Sequence, residues 1–135
     1  MSLPCELPVA NILCVGASAG ADTRASFSNH GVGSVDLMAP GQDIAAVAPG
    51  GGVTRVDGTS FAAPLASAAA ALVATRRPEL GGAGLRAATM DGAAIGALGS
   101  SVAGGRRLDA QRALGFAGAV PRAAGRPVIA GATRT

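Results

Sequence analysis

The longest apolar run in the chain, Phe61 to Ala74, constrains the fold more than any other segment. It is dense in Ala and Leu, which favour a helix, and Pro64 is tolerated if it lies in the first turn of a helix that begins at Ser60. Arg76 suits the negative end of the helix dipole, and Pro78 stops the helix. The run is too short and too weakly apolar to span a bilayer. We therefore predict a long core helix from Ser60 to Arg76.

The side chains available for a core are unusually small. Of the 135 residues, 49% are hydrophobic and only 14% are charged, so most of the chain should be packed. Ala and Gly dominate, however, and aromatic residues make up only 2%. Small side chains remove little apolar area from water, and that area stabilises by roughly 25 cal/mol per Å². The length suits one domain. The composition indicates that the chain is a piece of a larger core.

Shorter apolar segments upstream of the long helix predict strands. Val9 to Ala17 is a nearly continuous apolar run, as in a parallel strand that is covered on both faces. A second short strand is predicted at Val35 to Met38, before a Pro-Gly turn. Ile44 to Ala48 and Val53 to Asp57 flank a turn that contains Gly50 and predict a β-hairpin.

The downstream part of the chain predicts two further helices and a tail. The helices are expected at Gly84 to Met90 and at Asp109 to Leu114. From residue 115 to residue 135 the chain is Ala, Gly, Pro and Arg with little periodicity, which is typical of a linker or tail. This order of strands and helices predicts an α/β layer fold with a long helix packed against a sheet.

The segment Gly58-Thr59-Ser60 places a hydroxyl where a hairpin strand turns into the long helix. Glycine permits a close approach of the backbone to a substrate. The start of a helix offers unpaired N–H groups and a partial positive charge, which suit an oxyanion forming beside the serine. A serine in this position is most often only a helix cap, which contributes about 1 kcal/mol. The local pattern therefore leaves the catalytic and the capping interpretations open.

The neighbouring segments favour the catalytic interpretation. Residues 58–64, Gly-Thr-Ser-Phe-Ala-Ala-Pro, resemble the nucleophile motif of the subtilase family, Gly-Thr-Ser-Met-Ala-x-Pro. Four other segments resemble further parts of that family in the family's order, namely Asn11 to Ala17, Ala25 to Gly31, Val35 to Gly41 and Gly105 to Ala110. The resemblance implies that residues 1–114 are the C-terminal part of a subtilase catalytic domain. It implies a three-layer α/β fold with a parallel sheet, a β-hairpin and a long buried helix after the nucleophile.

The resemblance implies a serine endopeptidase that uses an Asp, a His and a Ser as its triad. Only Ser60 corresponds to a member of this triad, and its backbone N–H would be one oxyanion donor. Gly58 and Thr59 would lie beside the substrate, with Thr59 near the leaving group. The family segments Asp-Ser/Thr-Gly and His-Gly-Thr-His do not occur in this sequence, and neither does the Gly-Asn segment of the second oxyanion donor. In the family all three lie upstream, so we expect the isolated chain to be inactive.

Asp22, His30 and Asp36 are of residue types found in a catalytic triad, but we do not interpret them as catalytic. Asp22, His30 and Ser60 stand in the family's triad order, but a triad is recognised by its geometry and not by its order. Asp22 and His30 fall in one polar loop, which favours a solvated histidine. Asp36 lies in a short strand, and we interpret it as structural.

Cys5 and Cys14 are the only cysteines. Two Cys and one distant His are too few ligands for a metal site. A local disulfide is expected if the protein is exported, because such bonds persist in oxidising compartments. Two buried free thiols are the alternative.

The remaining expectations concern partners and location. The net charge of +3 comes mostly from scattered Arg without a basic run, so no nucleic-acid partner is expected, and no membrane partner either. The start of the chain has no signal-peptide pattern. The resemblance implies a peptide or protein substrate, no cofactor and an extracellular or secretory location. Calcium stabilises many subtilases, but no carboxylate cluster here has enough oxygen ligands to predict a site.

Three interpretations of the whole chain remain. The first, which we favour, is a piece of an active subtilisin-like endopeptidase. The second is a non-catalytic remnant that acts as a protein-interaction module. The third is a chain to which a partner supplies the Asp and the His.

Overall fold

The computed structural model describes residues 4–5, 7–91, 94–95 and 98–115. The segment interpreted as a tail lies outside the described residues after position 115. The strands are β1 (Val15–Ser18), β2 (Leu37–Pro40), β3 (Ile44–Val47), β4 (Val53–Val56), β5 (Ala94–Ile95) and β6 (Arg106–Arg107). The helices are α1 (Thr59–Arg76), α2 (Gly82–Asp91) and α3 (Ala110–Leu114).

The described strands form two sheets. The larger has the order β1-β2-β6-β5, in which β1, β2 and β6 are parallel and β5 is antiparallel to β6. Val15 lies opposite Leu37, and Ser18 lies opposite Pro40. The smaller sheet is the hairpin β3-β4, whose antiparallel register pairs Ile44 with Val56. The predicted α/β class, parallel sheet and hairpin are therefore confirmed.

The larger sheet is covered on both faces, which gives three layers. On one face α1 packs its small side chains against alternate residues of β1 and β2, so that Ala17, Leu37 and Ala39 share one buried cluster with Ala62 and Ala66. The period-two alternation of a strand directs Met38 to the other face. There Met38 packs with Val35, Leu98 and Val102, so the third layer in the described residues consists of loops and 3₁₀ turns.

Both strands of the parallel pair begin later than the apolar pattern predicts. The first strand was expected from Val9, but the chain first makes a turn in which the Ile12 N–H donates to the Val9 carbonyl, and β1 begins at Val15. The second was expected to end before Ala39, but β2 runs to Pro40. Proline is tolerated at this last position because the N–H groups of Leu37 and Gly41 donate to the neighbouring segment at Cys14 and Ser18, and this alternation requires no donor from residue 40.

The long helix is present, but it is buried only along one side, whereas a fully buried helix was expected. It begins at Thr59, so Pro64 is its sixth residue and lies beyond the first turn, where it lacks the N–H that would bond the Ser60 carbonyl. Its buried residues form a single stripe, which consists of Ala62, Ala66, Ala69 and Val73. The sequence pattern could not show this, because the helix is apolar around its whole circumference. Within the described ranges, no helix is long and apolar enough to cross a membrane.

The two shorter helices differ from their predicted bounds by one or two residues. Helix α2 begins at Gly82 rather than Gly84 and ends at Asp91. Helix α3 begins at Ala110, because Asp109 is its N-cap and accepts the Arg112 N–H at 2.9 Å. Both helices pack against α1 through a cluster that contains Val73, Ala88 and Ala113.

Asp36 ties three elements together at the start of the parallel pair, in keeping with its structural interpretation. One carboxylate oxygen accepts the Cys14 N–H at 2.8 Å, just before β1. The other accepts from the Arg86 guanidinium of α2 at 2.5 Å. Charge-assisted bonds of this kind are stronger than neutral ones, and partial burial limits their screening by solvent.

Cys5 and Cys14 are joined by a disulfide in the structure, with a Cα–Cα distance of 5.6 Å. The bond clips the first described residues to the segment that leads into β1.

We expect a denatured, unreduced sample to show no reactive thiol. Reduction should lower the free energy of unfolding by about 2 to 3 kcal/mol, the cost expected for a loop of this length. A thiol-reactive dye measures the first quantity, and two reactive thiols per chain would contradict the bond.

Candidate active site

Ser60 is the second residue of α1, and its side chain is exposed. The residue at the N-cap position is Gly58, and no side chain caps the helix. Among the described residues, nothing accepts from or donates to the Ser60 hydroxyl. The capping interpretation of Ser60 is therefore wrong, because a capping serine precedes the helix and bonds its first N–H groups. The hydroxyl is left accessible at the positive end of an 18-residue helix.

The backbone at the start of α1 has free donors. The Phe61 N–H donates to the Gly58 carbonyl at 3.1 Å, and the Ala62 N–H reaches the same oxygen at 3.4 Å. The N–H groups of Thr59 and Ser60 have no acceptor in the part of the chain that the structure describes. Unpaired N–H groups at a helix start favour negative charge, so they can stabilise an oxyanion that forms beside Ser60.

Two backbone hydrogen bonds connect the start of α1 to the parallel sheet. The Gly58 N–H donates to the Gly41 carbonyl at 2.8 Å, and the Gly41 N–H donates to the Ser18 carbonyl at 3.1 Å. Gly41 directly follows β2, and Ser18 ends β1. Ser60 therefore lies near the carboxyl ends of two parallel strands, which is where α/β sheets commonly bind ligands.

Both glycines are required by their surroundings. A Cβ on Gly41 would lie 2.6 Å from the Ala17 Cβ and 2.9 Å from the Gly58 carbonyl oxygen. Gly58 has a φ of +156°, which is strained for other residues, and a Cβ there would lie 3.3 Å from the Phe61 ring. The sequence suggested that Gly58 makes room for a substrate. In this structure, the close contact between the two backbones depends on Gly41, because a Cβ there would collide with the Gly58 carbonyl oxygen.

A polar clamp extends the hairpin toward the serine, and sequence reasoning did not identify it. The Asp43 N–H donates to the Asp57 carboxylate at 2.7 Å, beyond the last pair of β3 and β4. Arg55 donates to the Asp43 carbonyl at 2.8 Å, which supports the positive φ of 58° at Asp43. The signal in the sequence is an aspartate at each end of the predicted hairpin, with Asp43 just before its first strand and Asp57 as the last residue of its second. The clamp fixes the strand end that leads into Gly58.

Asp22, His30 and Ser60, which stand in the family's triad order, do not form a triad among the described residues. The Asp22 carboxylate pairs with the Arg107 guanidinium at 2.9 Å, so it is engaged away from any histidine. His30 is exposed and has no hydrogen-bond partner among the described residues. Over the described ranges, no group of three or more His, Cys, Asp and Glu side chains could hold a metal ion.

Comparisons with known proteins show the family of the chain. A model of the subtilase family matches residues 2–124, which extends beyond Leu114, the predicted end of the domain. The chain is 46% identical over 69 residues to the cell wall-associated protease of Bacillus subtilis (strain 168), a match that covers 51% of this chain and 8% of that protein. It is 50% identical over 74 residues to the subtilisin-like serine protease Pen ch 13 of Penicillium rubens, with 54% and 18% covered.

A solved structure shares the fold. The crystal structure of a cold adapted subtilisin-like serine proteinase superposes with a TM-score of 0.71 and 29% identity, covering 80% of this chain and 39% of that chain. The present chain thus spans well under half the length of each of these relatives. Because the family model matches most of the residues and a solved relative has the same fold, the chain belongs to the subtilase family.

Proposed function

We propose that this chain carries the nucleophile of a subtilisin-like serine endopeptidase, with Ser60 as that nucleophile. One observation carries the proposal. The Ser60 hydroxyl is exposed at the start of a long helix and has no hydrogen-bond partner among the described residues, and it lies within a segment that resembles the family's nucleophile motif. A serine that served only the fold would be expected to use its hydroxyl in a cap or a turn.

The proposed reaction is acyl transfer. The Ser60 Oγ attacks the carbonyl carbon of a peptide bond while a histidine takes its proton, and the same histidine returns a proton to the leaving amine. An aspartate orients the imidazole. Water then hydrolyses the acyl-enzyme and regenerates the serine. The histidine and the aspartate come from outside residues 1–135, because the family segments that carry them are not in this sequence.

The residues beside Ser60 have defined parts in this proposal. The Ser60 N–H donates to the oxyanion of the tetrahedral intermediate, supported by the helix dipole. Thr59, which is half-buried, lies beside the leaving group. Gly41 and Gly58 hold the serine at the end of the sheet through their 2.8 Å hydrogen bond.

A non-catalytic remnant or protein-interaction module is the alternative. The observation that favours it is that no imidazole or carboxylate contacts the Ser60 side chain among the described residues. The two functions differ in what precedes Met1 in the transcript. An in-frame Asp-Thr-Gly, a His-Gly-Thr-His and a Gly-Asn segment support the protease, and a stop codon followed by a true start supports the alternative.

The proposed location is extracellular or within the secretory pathway. The disulfide between Cys5 and Cys14 supports it, since such bonds persist in oxidising compartments. The name of the Bacillus subtilis relative places that protein at the cell wall.

The isolated chain should hydrolyse peptides no faster than its Ser60→Ala variant. Without a general base the hydroxyl stays protonated and is a weak nucleophile, and losing a triad member costs several powers of ten in rate. A fluorogenic peptide assay on both proteins measures this. Turnover by the isolated chain that disappears with Ser60→Ala would mean that residues 1–135 contain a base for this serine.

A further inference from the structure

The register of the hairpin β3-β4 predicts a partner for Gly58, the residue that precedes α1. Beside the turn, the Ala48 N–H donates to the Gly52 carbonyl at 3.1 Å, which makes these two residues a hydrogen-bonded pair. Such pairs recur at every second position of an antiparallel ladder. Continued in the register that the two strands show, the ladder would pair Gly58 with Gln42. The Gly58 N–H would then donate to the Gln42 carbonyl.

Gly58 does not take this partner. Its N–H donates to the Gly41 carbonyl at 2.8 Å, one residue further back along the chain. Gln42 and Asp43 together therefore lie opposite the single residue Asp57, which is the arrangement of a β-bulge. Asp43 has a φ of +58°, so the extra residue is accommodated by a left-handed backbone conformation. A residue other than glycine holds this conformation only with support from its surroundings.

Two side chains of the opposite strand support the bulge. The Asp57 carboxylate accepts the Asp43 N–H at 2.7 Å, and this donor has no partner in the ladder. The Arg55 guanidinium donates to the Asp43 carbonyl at 2.8 Å. Hydrogen bonds in which one partner is charged are stronger than neutral ones. Both backbone polar groups of the left-handed residue are therefore held from the strand that leads into α1.

The bulge matches the hairpin to the parallel sheet. Gly41 directly follows β2, and its own N–H donates to the Ser18 carbonyl at the end of β1. Gln42 is exposed and lies one residue further from the sheet. A pairing of Gly58 with Gln42 would thus shift the start of α1 by one residue, or about 3.4 Å. Ser60 follows Gly58 by two residues, so the bulge determines where the serine lies relative to the strand ends.

We propose that Asp57 is a positioning residue for the nucleophile. Its carboxylate holds the bulge, and the bulge keeps Gly58 on Gly41 and Ser60 at the end of the sheet. The inference rests on the proposed function, because it assigns to Asp57 an effect on the reaction of Ser60. In this role Asp57 acts through the backbone and touches neither the substrate nor the reacting atoms. Its loss should lower kcat and spare KM, since the alignment of the serine is lost and substrate binding is kept.

Kinetics of a completed protease test the proposal. This protein is the full 135-residue chain joined after the part of Pen ch 13 that precedes the matched region. We expect Asp57→Ala to lower kcat about 10-fold and to change KM by no more than about twofold. Asp57→Asn keeps an acceptor for the Asp43 N–H and should retain kcat within about threefold of the wild type.

Asp43→Gly distinguishes positioning from a contact between Asp57 and the substrate. Glycine adopts a positive φ without strain, so the bulge should form without the carboxylate. The double variant Asp57→Ala, Asp43→Gly should therefore recover kcat to within about threefold of the wild type. Asp91→Ala, which removes an equal charge from an exposed position of α2, is the control and should leave kcat unchanged.

Amide hydrogen exchange is a second readout, and it does not depend on the reaction. It is measured in the completed protease with Ser60→Ala as background. The Gly58 N–H should exchange about 10-fold faster after Asp57→Ala, and at its original rate after Asp57→Asn. Asp57→Val, which suits a strand and offers no acceptor, replaces Asp57→Ala in both measurements if alanine impairs folding.

An unchanged kcat in Asp57→Ala would overturn the positioning role. An equal loss in Asp57→Asn, or a double variant that stays as slow as Asp57→Ala, would also overturn it, because either result would assign the effect to the charge or to the substrate. Peptidase activity of the Ser60→Ala variant would overturn the proposed function instead, and the exchange of the Gly58 N–H would still report on the bulge.

Discussion

Replacing Ser60 by alanine should lower kcat/KM by about 10⁴-fold or more in the completed protease. Here the completed protease is the full 135-residue chain joined after the part of Pen ch 13 that precedes the matched region. The reason for so large an effect is that the Ser60 hydroxyl forms the acyl-enzyme, and no described neighbour could replace it as a positioned nucleophile. Steady-state hydrolysis of a peptide substrate gives the value directly.

Ser67→Ala is the control for this experiment. Ser67 lies two turns further along α1, so the same change tests the general effect of removing a hydroxyl from this helix. It should alter kcat/KM by no more than about threefold, in keeping with the small effects of most substitutions away from a reacting centre. An equal loss in both variants, or an active Ser60→Ala variant, would show that Ser60 is not the nucleophile.

The second large effect is expected at Gly41, where alanine should damage both stability and activity. The added Cβ would meet the Ala17 Cβ at 2.6 Å and the Gly58 carbonyl oxygen at 2.9 Å. Ala17 is fully buried, so the Gly41 and Gly58 backbones must separate instead. Overpacking of this kind costs about 1 to 3 kcal/mol. Because Gly58 precedes the serine by two residues, a shift near 1 Å should also lower kcat by about 10²-fold.

Urea unfolding and peptide hydrolysis of the completed protease measure the two consequences of Gly41→Ala. Gly33→Ala is the matched control, because a Cβ on the exposed Gly33 would meet no atom within 4 Å. It should change the free energy of unfolding by about 0.5 kcal/mol or less. If Gly41→Ala behaved like Gly33→Ala, the link between the sheet and the start of α1 would not position the serine.

Local chemistry predicted much of the fold. The hairpin was predicted to within one residue, because turn glycines and short apolar runs specify such a unit without help from distant residues. The strand at Val9 to Ala17 was predicted too long. Apolar residues in that range contact the core from the segment that leads into β1, as Leu13 does, as well as from β1 itself, and pattern alone does not distinguish the two.

The exposure of α1 could not be read from its residues. Its composition is that of a helix covered on all sides, yet the chain itself covers one stripe. Burial depends on what packs around a helix, and that information is not contained in the helix. The same reasoning applies to the interpretation of the chain as a piece of a larger core, which the exposed Leu65 and Leu72 support.

The start of the helix that carries Ser60 was predicted, but the contacts that support this helix start were not. The motif around Ser60 indicated where the helix begins, to within one residue. The hydrogen bond from Gly58 to Gly41 and the clamp from Asp43 to Asp57 join residues that are 14 or more positions apart. Such contacts arise from the register of the hairpin and the end of β2, so they follow only once those elements are placed.

The most direct test of the account is to locate the nucleophile chemically. The completed protease is treated with a fluorophosphonate, which reacts with activated serines, and the modified peptide is identified by mass spectrometry. The account predicts one adduct, on Ser60, that forms in proportion to the loss of activity and is absent from the Ser60→Ala variant. Complete inhibition with Ser60 unmodified, or an adduct on another serine, would contradict it.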